Sequence, residues 1–303
     1  MSAAKIARLA DRGVVSVTGP DSEKLLQGLV TNDLEGLADG EARHAALLAP
    51  QGKILFDFFA VRHGDGYLLD VALAKAADLA KRLAMYKLRA DVTITDVSDS
   101  FKVYAVWGDD SKKLAEGRGI SFPDPRHPAL GLRLFAAPDK NFSTPDHAEP
   151  ESDSPLAYDA LRIEFGIPEG GKDFEFGDAY PHEADFDLLN GVSFTKGCFV
   201  GQEVVARMQN KTLVRKRAVK ISANAPLEAN CEILLGDIPV GRIGTADGTH
   251  AIAMLRLDRV LDAEEKNQPL TAGGIAITPD ENAMSRYRSA ATARSSQPTR
   301  TPS

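Results

Sequence analysis

The chain is organised around the stretch Lys196-Gly197-Cys198-Phe199-Val200-Gly201-Gln202-Glu203, which is followed by Val204-Val205-Ala206-Arg207-Met208. Gly197 and Gly201 bracket a turn, and neither Gly nor Pro follows Gly201 until well past Met208. We therefore predict a tight loop that leads into a short helix, with Gln202 and Glu203 in its first turn. A carboxylate such as that of Glu203 suits the positive end of the helix dipole.

Cys198 lies just before this predicted helix and two residues after Lys196. The helix dipole and the lysine charge both favour a thiolate over a thiol, although a surface dipole contributes only ~0.3–1 kcal/mol. A buried, unreactive cysteine is the alternative interpretation, because free cysteine is among the most buried residue types. The local pattern alone leaves both interpretations open.

Composition is typical of a soluble globular protein. The chain has 303 residues, of which 43% are hydrophobic and 26% charged, enough for one large core or for two to three smaller ones. A net charge of −7 argues against direct nucleic-acid binding. No apolar run approaches the roughly 18 residues needed to cross a membrane, and no signal-peptide core precedes Arg12.

Only two cysteines occur, Cys198 and Cys231, and neither shows a CxxC spacing or an adjacent histidine cluster. A disulfide framework and a closed zinc site are therefore poorly supported, and we expect no metal site and a reducing, cytoplasmic setting. Two thiols are also too few for a conventional iron–sulfur cluster with four cysteine ligands. Any such cluster would belong to other proteins.

Hydrophobic alternation predicts an α+β region over residues 1–137. We expect strands at 14–17, 43–48, 54–61, 67–71, 91–95, 101–107 and 131–135, and helices from 21 or 22 to near 31, at 73–86 and at 109–116. Residues 121–127 are proline-rich and predict a loop.

The C-terminal half divides into four parts. Residues 138–155 are rich in Pro, Ser, Asp and Glu and predict a linker or loop, whereas 156–213 hold a helix and the loop around Cys198. Short strands and hairpin turns over 214–283 predict a small β-barrel. Residues 284–303 show no core pattern and predict a disordered tail.

Three motifs occur in order: Gly-Pro-Asp…Leu-Gln-Gly…Thr-Asn-Asp over 19–33, Leu-Arg-Ile-Glu-Phe-Gly over 161–166, and the stretch over 196–203. Together they resemble the YgfZ family of folate-binding, iron–sulfur-related proteins, which are relatives of the glycine-cleavage T-protein and of mitochondrial iron–sulfur assembly factors. The resemblance covers roughly residues 14–279. It implies a T-protein-like cloverleaf of three subdomains around a central cavity. Regions 1–137 and 156–213 would there bind tetrahydrofolate or a one-carbon derivative.

The resemblance also implies roles for individual residues. Glu164 would hold the pterin ring, since a carboxylate can accept two parallel N–H bonds from the ring N3 and the 2-amino group. Arg162, Lys196 and Gln202 would belong to the same folate site. Cys198, with Lys196, would carry the family's particular chemistry. A solvated helix end is the alternative for Glu164 and Arg162.

One position departs from the T-protein pattern. T-proteins place paired aspartates in the strand after a Gly-rich turn, whereas here Phe56 stands where the first would align and Asp57 follows. An aromatic ring neither accepts a proton nor stabilises a developing ammonium. The substitution therefore argues against a working aminomethyltransferase. Asp57 is retained as a residue that could contact the folate.

Two charged runs flank the central stretch. An acidic run over 173–187 is more typical of a solvated face than of a metal site, because its spacing fits no EF-hand loop. A basic run follows the predicted helix and comprises Lys211, Arg215, Lys216, Arg217 and Lys220. It is either solvated edge charge or a surface that attracts the folate polyglutamate tail or an acidic partner.

Three hypotheses follow, and they leave open whether the chain is an enzyme. The first is a tetrahydrofolate-binding accessory factor in assembly or repair of iron–sulfur enzymes, including tRNA-modifying ones, with Cys198 as the reactive thiol. Its partners would be folate and iron–sulfur client or assembly proteins. The second is a folate-dependent aminomethyl or one-carbon transferase that uses Asp57 or Cys198. The third is a non-catalytic scaffold that docks a partner through the basic run.

Overall fold

The computed structural model of the chain describes residues 4–140, 155–211 and 213–295. Its strands are β1 (Lys5–Arg8), β2 (Arg12–Thr18), β3 (Ala42–Leu48), β4 (Ile54–His63), β5 (Gly66–Ala72), β6 (Thr93–Asp96), β7 (Lys102–Trp107), β8 (Ile120–Pro123), β9 (Leu132–Ala136), β10 (Lys216–Ala223), β11 (Glu232–Leu235), β12 (Ile238–Asp247), β13 (His250–Arg256), β14 (Leu270–Ala272) and β15 (Ile275–Pro279). Its helices are α1 (Ser22–Gln27), α2 (Leu73–Lys87), α3 (Ser111–Ala115), α4 (Pro155–Phe165), α5 (Gln202–Lys211), α6 (Leu257–Glu265) and α7 (Glu281–Ser295).

The first unit is a five-stranded antiparallel sheet in the order β3-β4-β5-β2-β6, with α1 and α2 against one face. Strand β4 shows how its two faces are used. Phe56 and Phe58 point into the core that includes α2, whereas Phe59 and Val61 point into the opposite core. This alternation follows from the two-residue period of a strand. It places Asp57 on the side away from the helices.

The second unit is a four-stranded antiparallel sheet in the order β1-β7-β9-β8. Its inner face packs against β4 and β5 of the first sheet through Val103, Phe122 and Phe135. Strand β8 occupies part of the stretch that we predict to be a loop, so that prediction is wrong for residues 121–123. Proline is tolerated there because Pro123 ends an edge strand, where a missing N–H breaks few ladder bonds.

The third unit is a closed barrel in the order β10-β13-β12-β11-β14-β15, which confirms the predicted C-terminal β-barrel. Helix α6 connects two of its strands and buries Leu257 and Val260. The segment between α4 and α5 consists mainly of turns and runs between the two sheets and the barrel. Most of the predicted 138–155 linker, residues 141–154, lies outside the described residues.

The predicted disordered tail is wrong from its first residue as far as Ser295. Helix α7 covers residues 281–295 and packs against the barrel through Met284 and Tyr287, which are 1% and 6% exposed. Two apolar anchors three residues apart are enough to dock a helix that is otherwise polar. Composition could not reveal this, and residues 296–303 lie outside the described part. Among the described residues, no helix is both long and apolar enough to span a bilayer.

Candidate functional site

The loop around Cys198 is held between the turn that joins β3 to β4 and the end of α1. Gly201 has a φ of 82°, and a Cβ there would lie 2.9 Å from the carbonyl oxygen of Ala49. Gly52 faces it with the same φ, and a Cβ on Gly52 would lie 2.7 Å from the Val204 side chain. Both positions therefore require glycine for conformation and for close approach. The predicted helix begins at Gln202, as expected.

Lys196 fastens this loop to the end of α1. Its Nζ donates to the backbone oxygens of Gln27, Val30 and Asn32 at 2.8, 2.8 and 2.7 Å. Since an ammonium has three protons, all of them are used. Burial lowers the pKa of Lys196 to about 8, with Asp33 acting in the opposite direction, so the group is charged at neutral pH.

This geometry changes the role that we assign to Lys196. The sequence predicts a catalytic and folate-contacting lysine, but the ammonium has no proton left for a substrate. Gln202 is similarly engaged, because its Oε1 accepts from the Phe199 backbone N–H at 3.0 Å and closes the loop. Lys196 and the Gln202 Oε1 therefore position the loop, whereas the Gln202 Nε2 protons have no hydrogen-bond partner among the described residues.

Cys198 is the chemical group that this framework presents. Its thiol is free and exposed, so the alternative of a buried, inert cysteine is wrong. A Cβ on the neighbouring Gly197 would meet nothing within 4 Å, and Phe194 in the same loop is 48% exposed. Cys231 differs, because it is half-buried at the barrel. The accessible thiol is therefore Cys198.

Arg162 lies at the junction of the three units and is fully buried. Its five N–H groups donate to Asp159, Asp173, the backbone oxygen of Ile167 and the hydroxyl of Thr245. Burial acts to lower the pKa of Arg162, but Asp173 and the neighbouring carboxylates outweigh it and raise this pKa well above its usual value. All five N–H groups of Arg162 are thus used within the protein, and the expected folate contact of this residue stays a prediction.

Glu164 is two residues further along α4 and faces the outside, because adjacent positions of a helix point in different directions. It lines a groove of about 390 Å³ together with Trp107, Lys220 and His250. Cys198 is not part of that lining. Glu164 and Cys198 thus do not share this groove, and their meeting at one folate cavity, which the resemblance implies, stays a prediction.

Asp57 is buried at the same junction as Arg162. Its Oδ2 accepts from the Gly170 backbone N–H at 3.3 Å, while its Oδ1 has no partner among the described residues. A Cβ on Gly170 would lie 2.6 Å from the Phe176 ring and 2.9 Å from Asp57 Oδ1, so Gly170 and Phe176 close over the carboxyl. Burial raises the pKa of Asp57, although Arg12 acts to lower it.

Sequence reasoning missed most of the ionic network around these residues. Glu169 lies within ion-pair distance of Arg162 and Arg12, at 3.3 and 3.7 Å. Arg12 pairs with Asp70 at 2.7 Å, and Arg133 pairs with the same carboxylate at 3.2 Å. These charges are far apart in sequence, so no local pattern could have grouped them.

The acidic run is not the uniform solvated face that we predict. Asp173 and Asp185 are buried, whereas Glu175 and Asp178 are exposed. Buried apolar residues, including Phe174 and Phe186, alternate with the acids along the chain, so some of the acidic side chains also lie in the interior. Within the described ranges, no group of three or more potential ligands could hold a metal ion.

The basic run is also largely paired within the chain. Lys216 contacts Asp178 at 3.4 Å, Arg217 contacts Asp185 at 2.7 Å, and Lys220 donates to the Glu164 backbone oxygen at 3.0 Å. These contacts hold β10 to the segment before α5 and to α4. Three of the five members of the run are therefore engaged within the protein, and the side chain of Lys211 lies outside the described part.

Comparison with known proteins agrees with this architecture. The GCVT N-terminal domain model matches residues 2–118, and the CAF17 C-terminal β-barrel domain model matches residues 215–286. The mitochondrial iron–sulfur cluster assembly factor IBA57 of Mus musculus is 33% identical over 245 residues, which cover 74% of this chain and 67% of that protein. This chain belongs to the IBA57 family of iron–sulfur cluster assembly factors.

Other IBA57 homologues are similar over comparable lengths. The protein of Mycosarcoma maydis is 37% identical over 236 residues, covering 72% of this chain and 57% of its own. That of Dictyostelium discoideum is 32% identical over 248 residues, covering 70% and 61%. The chain thus spans somewhat more than half the length of these two IBA57 proteins.

A solved structure extends the comparison to the fold. The glycine cleavage system aminomethyltransferase T from Bartonella henselae superposes with a TM-score of 0.72 at 14% identity, covering 92% of this chain and 85% of that one. At this identity the match shows the fold alone. It confirms the predicted T-protein-like fold, and the IBA57 relatives confirm the predicted relation to mitochondrial iron–sulfur assembly factors.

The predicted cytoplasmic setting is wrong, because the IBA57 relatives are named as mitochondrial proteins. Free thiols indicate a reducing compartment. They do not distinguish the cytosol from the interior of an organelle.

Proposed function

We propose that this chain acts in iron–sulfur cluster assembly by presenting the Cys198 thiolate to an iron–sulfur client or assembly protein. The observation that carries the proposal is the exposed, free thiol on a loop that Lys196 fastens to three backbone carbonyls. A fixed thiolate can supply one ligand to iron in a cluster carried by the partner. The IBA57 relatives, which are named as iron–sulfur cluster assembly factors, support an iron–sulfur cluster as the cargo.

The partner must supply the other ligands. The chain has only two cysteines, and its second, Cys231, belongs to the barrel. The exposed Phe194 in the same loop gives the partner an apolar contact beside the thiol, which is typical of interface cores. The clients would include tRNA-modifying iron–sulfur enzymes, and the compartment would be mitochondrial or its equivalent.

The test is the activity of iron–sulfur enzymes in cells that carry a single variant as their only copy. Cys198→Ala should lower that activity at unchanged protein level, because the thiolate ligand is gone. Cys231→Ala is the matched control and should behave like wild type. Full activity with Cys198→Ala would remove the thiol from the proposal.

Tetrahydrofolate binding is the second component of the proposal. It is supported by a single group, the carboxyl of Asp57. The residues expected to bind it do not fit it as one set, since Arg162, Lys196 and Gln202 are engaged within the protein. What favours a ligand is the buried, unpartnered Oδ1 of Asp57, which a pterin N–H could satisfy if Phe176 moved aside.

Titration with tetrahydrofolate decides between the two carboxylates. If Asp57 receives the pterin, Asp57→Asn should weaken binding by about 1–3 kcal/mol, and Glu164→Gln should leave it unchanged. The reverse result would assign the pterin to Glu164 and its groove. No saturable binding by the wild type would leave the accessory role without folate, as in a non-catalytic scaffold.

A folate-dependent aminomethyl or one-carbon transferase is the remaining alternative. T-proteins have two aspartates in this strand, but here Phe56 stands in place of the first. Phe56 points into the core of the first sheet and is 6% exposed, so Asp57 has no second carboxylate beside it from that aspartate pair. Ammonia- and lipoyl-dependent turnover of methylenetetrahydrofolate would support the transferase. We expect no such turnover, because a single buried carboxyl covered by Phe176 is a poor general base.

A further inference from the structure

A second cavity, of about 550 Å³, lies between the end of α5, strand β10 and helix α7. We name it the α7 cavity. Its polar wall carries Arg217, Asp185 and Asp187, and Arg286 of α7 also lines it. Neither Cys198 nor Asp57 is among its lining residues. It is therefore distinct from both groups that the proposed function uses.

Arg217 keeps one edge of its guanidinium free. Its Nη1 donates to Asp185 and Asp187 at 2.7 and 2.9 Å, and its Nη2 donates to the second oxygen of Asp187 at 2.7 Å. These bonds use three of the five N–H groups of an arginine. The Nε–H and the second Nη2 proton make no hydrogen bond to a described residue. These two protons share one edge and form a fork that matches a carboxylate.

Arg286 adds a second positive charge at the same cavity. It is exposed on α7 and makes no hydrogen bond or ion pair with any described side chain, although its charge acts on Asp185. The two carboxylates of the wall already accept from Arg217. A cationic ligand would therefore compete with arginine for them, whereas an anion meets two unsatisfied donors.

Part of the remaining lining is apolar. Leu257, at 1% exposed, and the half-buried Leu213 belong to it, and Ala283 lies on α7, while His182, Gln209 and Asn210 add polar groups. A volume of about 550 Å³ is within the range of roughly 300–1,000 Å³ that is usual for small-molecule sites. The apolar residues and the two arginines together suit a ligand with a hydrophobic body and one anionic end.

We propose that the α7 cavity binds a small organic carboxylate with an apolar body. The ligand carboxylate accepts hydrogen bonds from the two free N–H groups of Arg217 and lies near Arg286. The apolar body of the ligand packs against Leu213 and Leu257. Helix α7 forms one wall of the site, which gives this helix a function beyond packing against the barrel.

The site should respond to pH through Asp185. Burial raises the pKa of Asp185 to about 7, with Arg217 acting in the opposite direction. The charged groups that face it are Arg217 from β10, Asp187 from its own segment and Arg286 from α7, and His182 lines the same cavity. Below pH 7 Asp185 is neutral and does not repel an anion. Carboxylate affinity should therefore fall as the pH rises through about 7.

The test is a titration of the full chain with 2-naphthoate, followed by calorimetry, with 2-naphthamide as the matched neutral probe. We expect saturable binding of the acid with one site per chain, and at least tenfold weaker binding of the amide. Affinity should decrease above pH 7, and Asp185→Asn should remove that dependence. Equal binding of acid and amide, or no saturable binding of either, would overturn the proposal.

Two variants test the location independently. Arg217→Lys removes the fork but retains a charge for Asp185 and Asp187, and should weaken 2-naphthoate at least tenfold. Because Arg217 also holds the barrel to the preceding segment, Ala283→Phe is needed as a second variant that fills the cavity from α7 without touching an ion pair. Unchanged affinity in Ala283→Phe would contradict the assigned place. Cys198→Ala should bind 2-naphthoate like wild type, so this proposal and the proposed function can fail separately.

Discussion

Arg162 and Lys196 are both cations from sequence motifs that suggested ligand contacts, yet the two are held in different ways. Arg162 sits among carboxylates, with Asp173 at 2.8 Å and Asp159 at 2.7 Å. Lys196 sits among neutral backbone carbonyls. The pKa of Arg162 is accordingly raised, whereas burial lowers that of Lys196 to about 8.

The difference shows what each site does in the fold. Arg162 neutralises buried acids where the sheets, α4 and the barrel meet, so it holds whole units together. Lys196 forms no ion pair with a described residue, although Asp33 acts on its charge, and it satisfies carbonyls at one helix end, so it fixes a single loop. Arg162 thus stabilises the contact between the units of the fold, whereas Lys196 positions the loop that carries Cys198.

The largest effect should follow Arg162→Met. Removing the guanidinium leaves Asp173, Asp159 and Glu169 without their main partner in the interior, and breaking a buried ion pair costs about 3–5 kcal/mol. Chemical denaturation should therefore show a loss of that size in the free energy of unfolding. Arg259→Met is the control, because its ion pair with Asp262 is exposed and should contribute less than about 1 kcal/mol. Equal losses of unfolding free energy in Arg162→Met and Arg259→Met would show that the buried ion pairs of Arg162 stabilise the fold no more than an exposed pair does.

Lys196→Met should have an intermediate effect. It leaves three carbonyls at the end of α1 without their donor, and unsatisfied groups of this kind cost about 1–3 kcal/mol in total where water reaches part of the site. We expect the loop around Cys198 to exchange its amide hydrogens faster, with the barrel unchanged. Arg259→Met, at an exposed pair with Asp262 on α6, is again the control, because it lies outside the elements that hold this loop. Unaltered loop exchange in Lys196→Met would show that the loop is fixed by other contacts.

A pH-dependent effect should come from Asp185. Its folded pKa of about 7 lies above the usual value near 4, so between these values the folded state binds a proton that the unfolded state lacks. Its contribution to stability is thus present at low pH and is lost as the pH rises toward 7, by at most about 1.4 kcal/mol per pH unit. The difference in unfolding free energy between wild type and Asp185→Asn should change over this window. A difference that stays constant from pH 4 to 7 would exclude the titration.

Much of the fold could be predicted from local pattern. The apolar run after the turn signal at residues 50–53 marks β4, which spans Ile54–His63, and the helical spacing of Leu79 and Leu83 marks α2. The T-protein-like arrangement came from the motifs rather than from periodicity. Elements with weak patterns were missed, including β8 with its terminal proline and α7 with only a few apolar anchors.

The candidate site was only partly predictable. The turn and the helix start at Gln202 follow from glycine placement and spacing, and Cys198 is exposed just before that helix. The partners of Lys196 and Arg162 do not, because backbone carbonyls leave no mark in sequence and the acids around Arg162 come from separate segments. A motif identifies residues that matter without saying whether they touch a ligand or the protein itself.

The most direct measurement is the activity of iron–sulfur enzymes in cells that express Cys198→Ala, Lys196→Met or Cys231→Ala as the only copy. The account predicts that Cys198→Ala loses activity without loss of stability, since an exposed side chain is replaced by a small one. Lys196→Met should retain part of the activity, and Cys231→Ala should retain all of it. Wild-type activity in the Cys198→Ala cells, at wild-type protein level, would contradict the central claim.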